Sequence, residues 1–214
     1  MAVCLCGTLR AQGQPATLTF SLDFPGSDPS HYVISIGKDG AASYEGNGRL
    51  TPNPASDASA DPEPPSRVEF TASQSLVNRI FDLAKQAGYF SKEVDSKKRN
   101  LAFTGAKVLT FKDGQRSTQA SYNYSLVPAV QELTRIFQSL SSTLEFGRRL
   151  EYDHRYQKLA LSDDLKHMEE AAKGGDLEEL ASVAPILQKI VDDKSVINVV
   201  RARAQRLLDR PSAQ

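Results

Sequence analysis

The residues best suited to chemistry in this sequence lie between positions 148 and 158. This stretch, the 148–158 run, combines cationic side chains with tyrosines: Arg148, Arg149, Tyr152, Arg155, Tyr156 and Lys158. Arginine and tyrosine together bind phosphates and stack on bases or other aromatic ligands. The acids Glu145, Glu151 and Asp153 lie among them. On a helix, Glu145 with Arg149 and Glu151 with Arg155 are four residues apart, which equally predicts a solvated face of ion pairs.

A second concentration of charge lies in the connector from Lys92 to Arg116, which holds seven cations and three acids. These charges predict either a patch for an anionic partner or a charged strand edge with loops that protect against aggregation. If the protein binds nucleic acid or an anionic polymer, residues 97–99 and the 148–158 run are expected to form one surface.

Signals for catalysis or for a cofactor are absent from the sequence. His31, His154 and His167 lie outside any Gly-x-Ser-x-Gly or Ser-x-x-Lys pattern, and no glycine-rich phosphate loop follows a predicted strand. Asp163, His167 and Glu170 share a helix face, but they lack the His and Cys spacing of a zinc site. We predict no catalytic residues, no metal and no cofactor. A hydrolase using carboxylates or a histidine is the alternative, because carboxylate pairs leave no local signature.

Composition limits the classes of function. Lys plus Arg and Asp plus Glu each number 26 in 214 residues, so the formal net charge is +0 and no overall field favours nucleic acid. A hydrophobic fraction of 40% is that of a folded, soluble protein. The sequence lacks the run of about 18 apolar residues that a membrane-spanning helix requires.

Residues 1–15 predict either the end of a truncated signal peptide or a disordered N-terminus. They are apolar and small up to Gly7, then polar from Gln12, but they lack a basic start and a full apolar stretch. The only cysteines, Cys4 and Cys6, lie here and are too close together for an unstrained disulfide. We expect an extracytoplasmic protein, periplasmic or secreted, with a cytoplasmic location as the alternative.

Alternating side chains predict an antiparallel sheet in residues 16–125. Leu18, Phe20 and Leu22 alternate with polar residues, the pattern of a strand with one buried face. Further strands are predicted at 32–36, 41–45, 68–70, 106–111 and 116–124. The last two flank Asp113-Gly114, a hairpin signal.

Helical spacing follows in two places. Leu76, Ile80 and Leu83 predict one helix that covers the sheet and ends at a left-handed Gly88. From Leu126 onward, apolar residues recur every three or four positions, which predicts helices to about residue 210. The sequence Ser142-Thr143-Leu144-Glu145 matches a capping box and predicts that a new helix begins there.

The predicted fold class is therefore α+β: an antiparallel sheet with one covering helix, followed by a C-terminal all-helical segment. Residues 16–125 form the sheet domain, and 126–210 form the helical segment. Within the sheet domain, 51–66 is rich in proline, alanine, serine and acids without periodicity, which predicts a flexible loop.

The sequence resembles two known groups of proteins. Residues 185–208, with Val200-Arg201 followed by Ala204 and Leu207, resemble the helix-turn-helix unit of HEAT repeats, although the turn aspartates lie further from the Val-Arg pair and no second copy precedes it. The whole chain also looks similar to a group of exported bacterial proteins without an assigned activity, and the stretches 100–107 and 144–158 carry this resemblance. The second resemblance implies compartment and fold, and no site.

These observations together predict a non-catalytic binding or protein-interaction protein. Its unidentified protein partner is expected on the C-terminal helices and on the 148–158 run. The sequence leaves the oligomeric state open.

Overall fold

The computed structural model describes residues 15–50, 65–98 and 100–210. Predictions about the N-terminal segment before Pro15, about residues 51–64 of the predicted loop and about Arg99 lie outside the described residues.

Six strands form one antiparallel sheet, as the alternating pattern predicts. They are β1 (Thr17–Asp23), β2 (His31–Gly37), β3 (Ala41–Gly46), β4 (Ser66–Thr71), β5 (Ala106–Lys112) and β6 (Ser117–Tyr122). Their spatial order is β4-β3-β2-β1-β5-β6. The register pairs Phe20 with Ile34 on one side and with Leu109 on the other, so large apolar residues meet on one face.

Five α-helices complete the described fold. They are α1 (Gln74–Gln86), α2 (Pro128–Tyr156), α3 (Leu161–Gly174), α4 (Ala184–Asp192) and α5 (Asn198–Leu208). The α+β class with a helical C-terminal segment is confirmed. The described residues contain no helix long and apolar enough to cross a membrane.

One face of the sheet is covered by α1 together with the first half of α2. Leu18, Phe20 and Leu22 of β1 are buried beneath these helices. Phe137 of α2 stacks on Phe20 with ring centroids 5.2 Å apart, and neither residue is exposed to solvent. The strand alternation therefore determines which face receives helices, and α2 joins the predicted covering helix there.

The ends of α1 follow local signals in the sequence. Ser73 Oγ accepts a hydrogen bond from the Leu76 amide at 3.3 Å, which satisfies a free N–H of the first turn. After the helix, Gly88 takes a φ of +61°, a left-handed conformation that residues with a Cβ rarely adopt. The predicted left-handed Gly88 is confirmed.

The predicted helix start at residues 142–145 is wrong, because α2 continues through it without a break. Ser142 Oγ donates back to the Gln138 carbonyl at 3.2 Å, and Thr143 Oγ1 lies 3.0 Å from the Ser139 carbonyl of the same helix. These hydroxyls therefore bond within an ongoing helix and do not cap a new one. The Glu145 side chain bonds to Tyr44 and Arg148.

A second apolar cluster lies beyond the sheet. It contains residues from the end of α2 and from the three later helices, including Leu150, Leu165, Ile190 and Leu207. Because Val130 to Leu144 of α2 belong to the sheet core and Leu150 to this cluster, the one helix runs through both. The α4 and α5 helices pack on each other, so the stretch that resembles a HEAT unit is a helix pair.

Thr143 ties α2 to the turn that precedes α4. Its buried hydroxyl donates to the Glu178 carbonyl at 2.7 Å and accepts from the Glu178 amide at 3.2 Å. We expect Thr143→Val to lower the free energy of unfolding by about 1–3 kcal/mol, since both buried backbone groups lose this partner. Urea unfolding measures the loss, and Ser142→Ala, at an exposed neighbouring position, is the control. Equal stability of the two variants would contradict this role.

Candidate functional site

An open groove of about 720 Å³ lies where the end of α2 meets β4 and α4. Five of the six residues predicted from the sequence line it: Arg148, Tyr152, Arg155, Tyr156 and Lys158. Arg67 of β4 and Lys189 of α4 add two more cations, and Glu151 is the one lining carboxylate among the described residues. Leu50, Ser66 and Val68 also line the groove.

Arg149 belongs to a different face of α2. Its guanidinium lies over the Phe146 ring, 4.6 Å from the centroid, and its Nε is 3.9 Å from Asp164 of α3. The structure therefore brings five of the predicted residues together and places this one against α3.

Arg148 forms the floor of the groove, but its charge is already compensated. Its Nη1 donates to both carboxylate oxygens of Glu145 at 2.8 Å, and the two side chains are only 9% and 6% exposed. Tyr44 donates its hydroxyl hydrogen to the same carboxylate. Gly48 lies so close that a Cβ there would overlap the carboxylate of Glu145. Arg148 therefore positions this part of α2 and is not available to a ligand.

The phenols under the groove are held neutral. Burial, and then the adjacent Glu145 carboxylate, raise the pKa of Tyr44 far above its usual range. Burial likewise raises the pKa of Tyr32, which neighbours it across the β2–β3 pair. Neither tyrosine is therefore a ready proton donor, and both act as hydrogen-bonding core residues.

Lys158 is also paired within the molecule. Its Nζ lies 2.6 Å from Asp193 Oδ2 and 2.6 Å from Ser195 Oγ, and His154 Nε2 lies 3.0 Å from the same aspartate oxygen. The hydrogen bond from Lys158, and then those from Ser195, hold the pKa of Asp193 well below its usual range. This cluster fastens the end of α2 to the α4–α5 turn.

Two cations of the groove have no carboxylate partner among the described residues: Arg155 and Lys189 are both exposed and outside every ion pair found there. Arg155 lies over the Tyr156 ring at 5.1 Å, and Tyr156 contacts Tyr152 with centroids 5.1 Å apart. The predicted pairs of Glu145 with Arg149 and of Glu151 with Arg155 are not formed. Glu145 instead takes Arg148, three residues along.

The groove thus offers two cations that no described carboxylate pairs with, beside a pair of touching tyrosine rings. Exposed guanidinium and ammonium groups bind carboxylates or phosphates, and tyrosine contributes a large contact area with little loss of entropy. Sequence reasoning missed Lys189, because it lies on another helix and carries no local signal. The arrangement fits binding of an acidic, partly aromatic or apolar segment.

A pair of carboxyl groups lies on the opposite side of α2, away from the groove. Asp153 is 3% exposed and faces Asp164 of α3. Burial, and then the hydrogen bond and charge of Asp164, raise the pKa of Asp153 to about 7. Since neither residue lines the groove, the pair joins two helices and does not face a bound molecule there.

The remaining sequence candidates lie elsewhere. Lys97 pairs with Glu93 at 2.7 Å, and neither Lys97 nor Lys98 lines the groove. His167 is exposed on α3. Within residues 15–50, 65–98 and 100–210 no group of three or more histidine, cysteine, aspartate or glutamate side chains could hold a metal ion.

The fold belongs to the α+β class, and a basic, tyrosine-lined groove lies where its C-terminal helices α2 and α4 meet β4. No protein-family model matches the chain. No curated protein matches it either. The resemblances to HEAT units and to exported bacterial proteins therefore stay predictions from the sequence.

Proposed function

We propose that the protein is a non-catalytic binding protein whose groove holds an acidic segment of a partner protein. Arg155 and Lys189 bind the acidic side chains of that segment, and Tyr152 and Tyr156 pack against its apolar or aromatic groups. Extracytoplasmic location stays a prediction from the sequence.

One observation carries this proposal: Arg155 and Lys189 lack a carboxylate among the described residues, whereas the other groove cations have one. Arg148 has Glu145, Lys158 has Asp193, and Arg67 has Glu69 at 2.7 Å. Arg155 on α2 and Lys189 on α4 line the same groove, so one ligand bound there can contact both. Tyr152 and Tyr156, which contact each other in the same groove, provide the contact area that ion pairs alone do not supply, since exposed ion pairs contribute little.

Charge reversal of the unpaired cations tests the proposal. We expect the Arg155→Glu, Lys189→Glu variant to lose at least about tenfold in affinity for the captured partner, corresponding to roughly 1.4 kcal/mol or more. The partner is first isolated with the full-length protein, and its affinity is then measured by titration. The matched control is Lys112→Glu with Lys166→Glu, which makes the same charge change at exposed positions outside the groove. Equal loss in both variants would show a non-specific charge effect and contradict the proposal.

Ionic strength separates this function from binding of nucleic acid. A protein that neutralises many phosphates shows a steep fall in affinity with salt, roughly in proportion to the number of phosphates contacted. Two exposed cations and two tyrosines predict a shallow dependence. A steep dependence with a single-stranded oligonucleotide as the tighter ligand would favour the nucleic-acid alternative.

A further inference from the structure

A buried lysine lies at the opposite end of the sheet from β4. Lys107 of β5 is 4% exposed, and its side chain points to the core face with Leu109 and Phe111. Its register partners are Leu22 on β1 and Tyr122 on β6. Lys107 belongs to the Lys92–Arg116 connector, whose charges were predicted on a surface patch or a strand edge. Its charge lies instead inside the fold.

The Lys107 ammonium is surrounded by neutral oxygens only. Its Nζ donates to the carbonyls of Thr104, Gly105 and Asn123 at 2.8, 3.1 and 3.0 Å, and to the Thr104 hydroxyl at 3.0 Å. No carboxylate among the described residues pairs with it. Burial lowers the pKa of Lys107, since the positive charge is removed from water without a counter-ion.

A cavity of about 380 Å³ adjoins this lysine. It lies between the ends of β5 and β6 and the first turns of α2, and Lys107, Tyr122 and Thr134 are among the residues that line it. The Tyr122 hydroxyl and Thr134 Oγ1 are 2.6 Å apart, so they satisfy each other. The cavity therefore combines a positive charge that no described carboxylate compensates with a wall in which Tyr122 and Thr134 bond to each other. Such a combination of shape and charge is typical of a small-molecule site.

Large exposed apolar side chains lie on or next to the segments that line this cavity. Tyr124 lines it, and Phe103 and Leu126 are direct neighbours in sequence of the lining residues Thr104 and Ser125. All three are more than 40% exposed, although large apolar groups usually avoid water. Exposed apolar groups in the segments that line a cavity are consistent with an occupant that has an apolar part.

We propose that this cavity binds a small amphipathic carboxylate. The carboxylate group pairs with the Lys107 ammonium, and the apolar tail packs against Tyr124, which also lines the cavity. Four neutral oxygens share the three N–H donors of the ammonium. A carboxylate can therefore accept a hydrogen bond from one N–H while neutral acceptors keep the other two. This site lies apart from the groove of the proposed function and shares no lining residue with it.

Octanoate and octanamide test the proposal with the wild-type chain. The two probes have the same tail and differ in the charge of the head group, so titration calorimetry isolates the contribution of the ion pair. We expect octanoate to bind at least about tenfold more tightly, as a charge-assisted hydrogen bond is roughly twice as strong as a neutral one. Amide chemical-shift changes should centre on residues 104–107 and 122–126. Equal affinities, no binding of either probe, or shift changes confined to the groove would overturn the proposal.

Variants test separately the contribution of the Lys107 charge and the contribution of the cavity that holds the apolar tail. Lys107→Met is expected to remove the preference for octanoate. Gln138→Trp, at an exposed position of the lining, is expected to weaken both probes by blocking the cavity without disturbing the core. Arg155→Glu, in the groove, should bind octanoate as the wild type does. Unchanged octanoate binding by folded Gln138→Trp, or loss of octanoate binding in Arg155→Glu, would place the ligand elsewhere.

Discussion

Replacement of Glu145 with glutamine is expected to lower the free energy of unfolding by about 3–5 kcal/mol, the usual cost of removing one partner from a buried ion pair. The substitution keeps the shape of the side chain, and the Tyr44 hydroxyl can still donate to the amide oxygen. Arg148, however, keeps its charge with a side chain only 9% exposed and no carboxylate partner. Equilibrium urea unfolding at neutral pH measures the difference.

Two further variants show whether the buried charge is the cause. Glu151→Gln makes the same chemical change at an exposed position on the same helix, and it should stay within about 0.5 kcal/mol of the wild type. Adding Arg148→Met to Glu145→Gln should recover much of the lost stability, because no unpaired charge then remains inside. A Glu145→Gln single variant as stable as Glu151→Gln would contradict the prediction.

The sheet was predictable because its strands have one buried face. Leu18, Phe20 and Leu22 alternate with polar residues, and the Asp113-Gly114 turn fixes the hairpin that places β6 beside β5. In α2 a local signal of the same kind gave a wrong prediction of a helix start. Ser142 and Glu145 match a capping box, yet both side chains have partners that α2 or a distant strand provides.

The burial of two candidate-site residues follows from their positions in the helix or strand repeat, although their charge had suggested a surface location. Leu140, Leu144 and position 148 are each four residues apart, so Arg148 continues the buried stripe of α2 whereas Arg149 is rotated from it. Lys107 is likewise two residues before Leu109, so strand alternation places it on the core face. A charged residue is therefore expected on the surface only when the periodicity of its helix or strand also places it on the exposed face.

The partners of these residues were not predictable from local spacing. Lys189 reaches the groove because α4 packs against α2, and Glu145 meets Tyr44 across a separation of 101 residues. Tertiary contacts of this kind depend on how helices and sheet pack, which single-sequence periodicity does not contain.

The Asp153→Asn variant is expected to be more stable than the wild type by about 2–4 kcal/mol at pH 8, and equally stable near pH 3. The pKa of Asp153 is about 7 in the folded protein, against an ordinary value of about 3.9 in the unfolded chain. Between these two values the folded state keeps a proton that the unfolded state has lost. Wild-type stability therefore falls as pH rises through this window, by roughly 1.4 kcal/mol for each pH unit.

The neighbours of Asp153 explain why asparagine removes this pH dependence. Asp164 faces it from α3, and Arg149 lies on its own helix and approaches Asp164 at 3.9 Å. An asparagine amide can donate to the Asp164 carboxylate as the protonated Asp153 does. In that variant Arg149 has only one carboxylate, Asp164, to neutralise. Above neutral pH the wild type holds two carboxylates against that single cation, which weakens the packing of α3 on α2.

Unfolding curves at pH 4, 5, 6, 7 and 8 in constant ionic strength test this linkage. The wild type should lose stability across the series relative to Asp153→Asn, whereas Glu170→Gln, an exposed acid on α3, should follow the wild type at every pH. Carbon-13 titration of the Asp153 carboxyl gives the folded pKa directly. Parallel curves for the wild type and Asp153→Asn, or a carboxyl that titrates near its ordinary value, would mean that the pair is ionised in the folded state. The contact between α2 and α3 would then depend on Arg149 and on the apolar residues around Leu150 and Leu165.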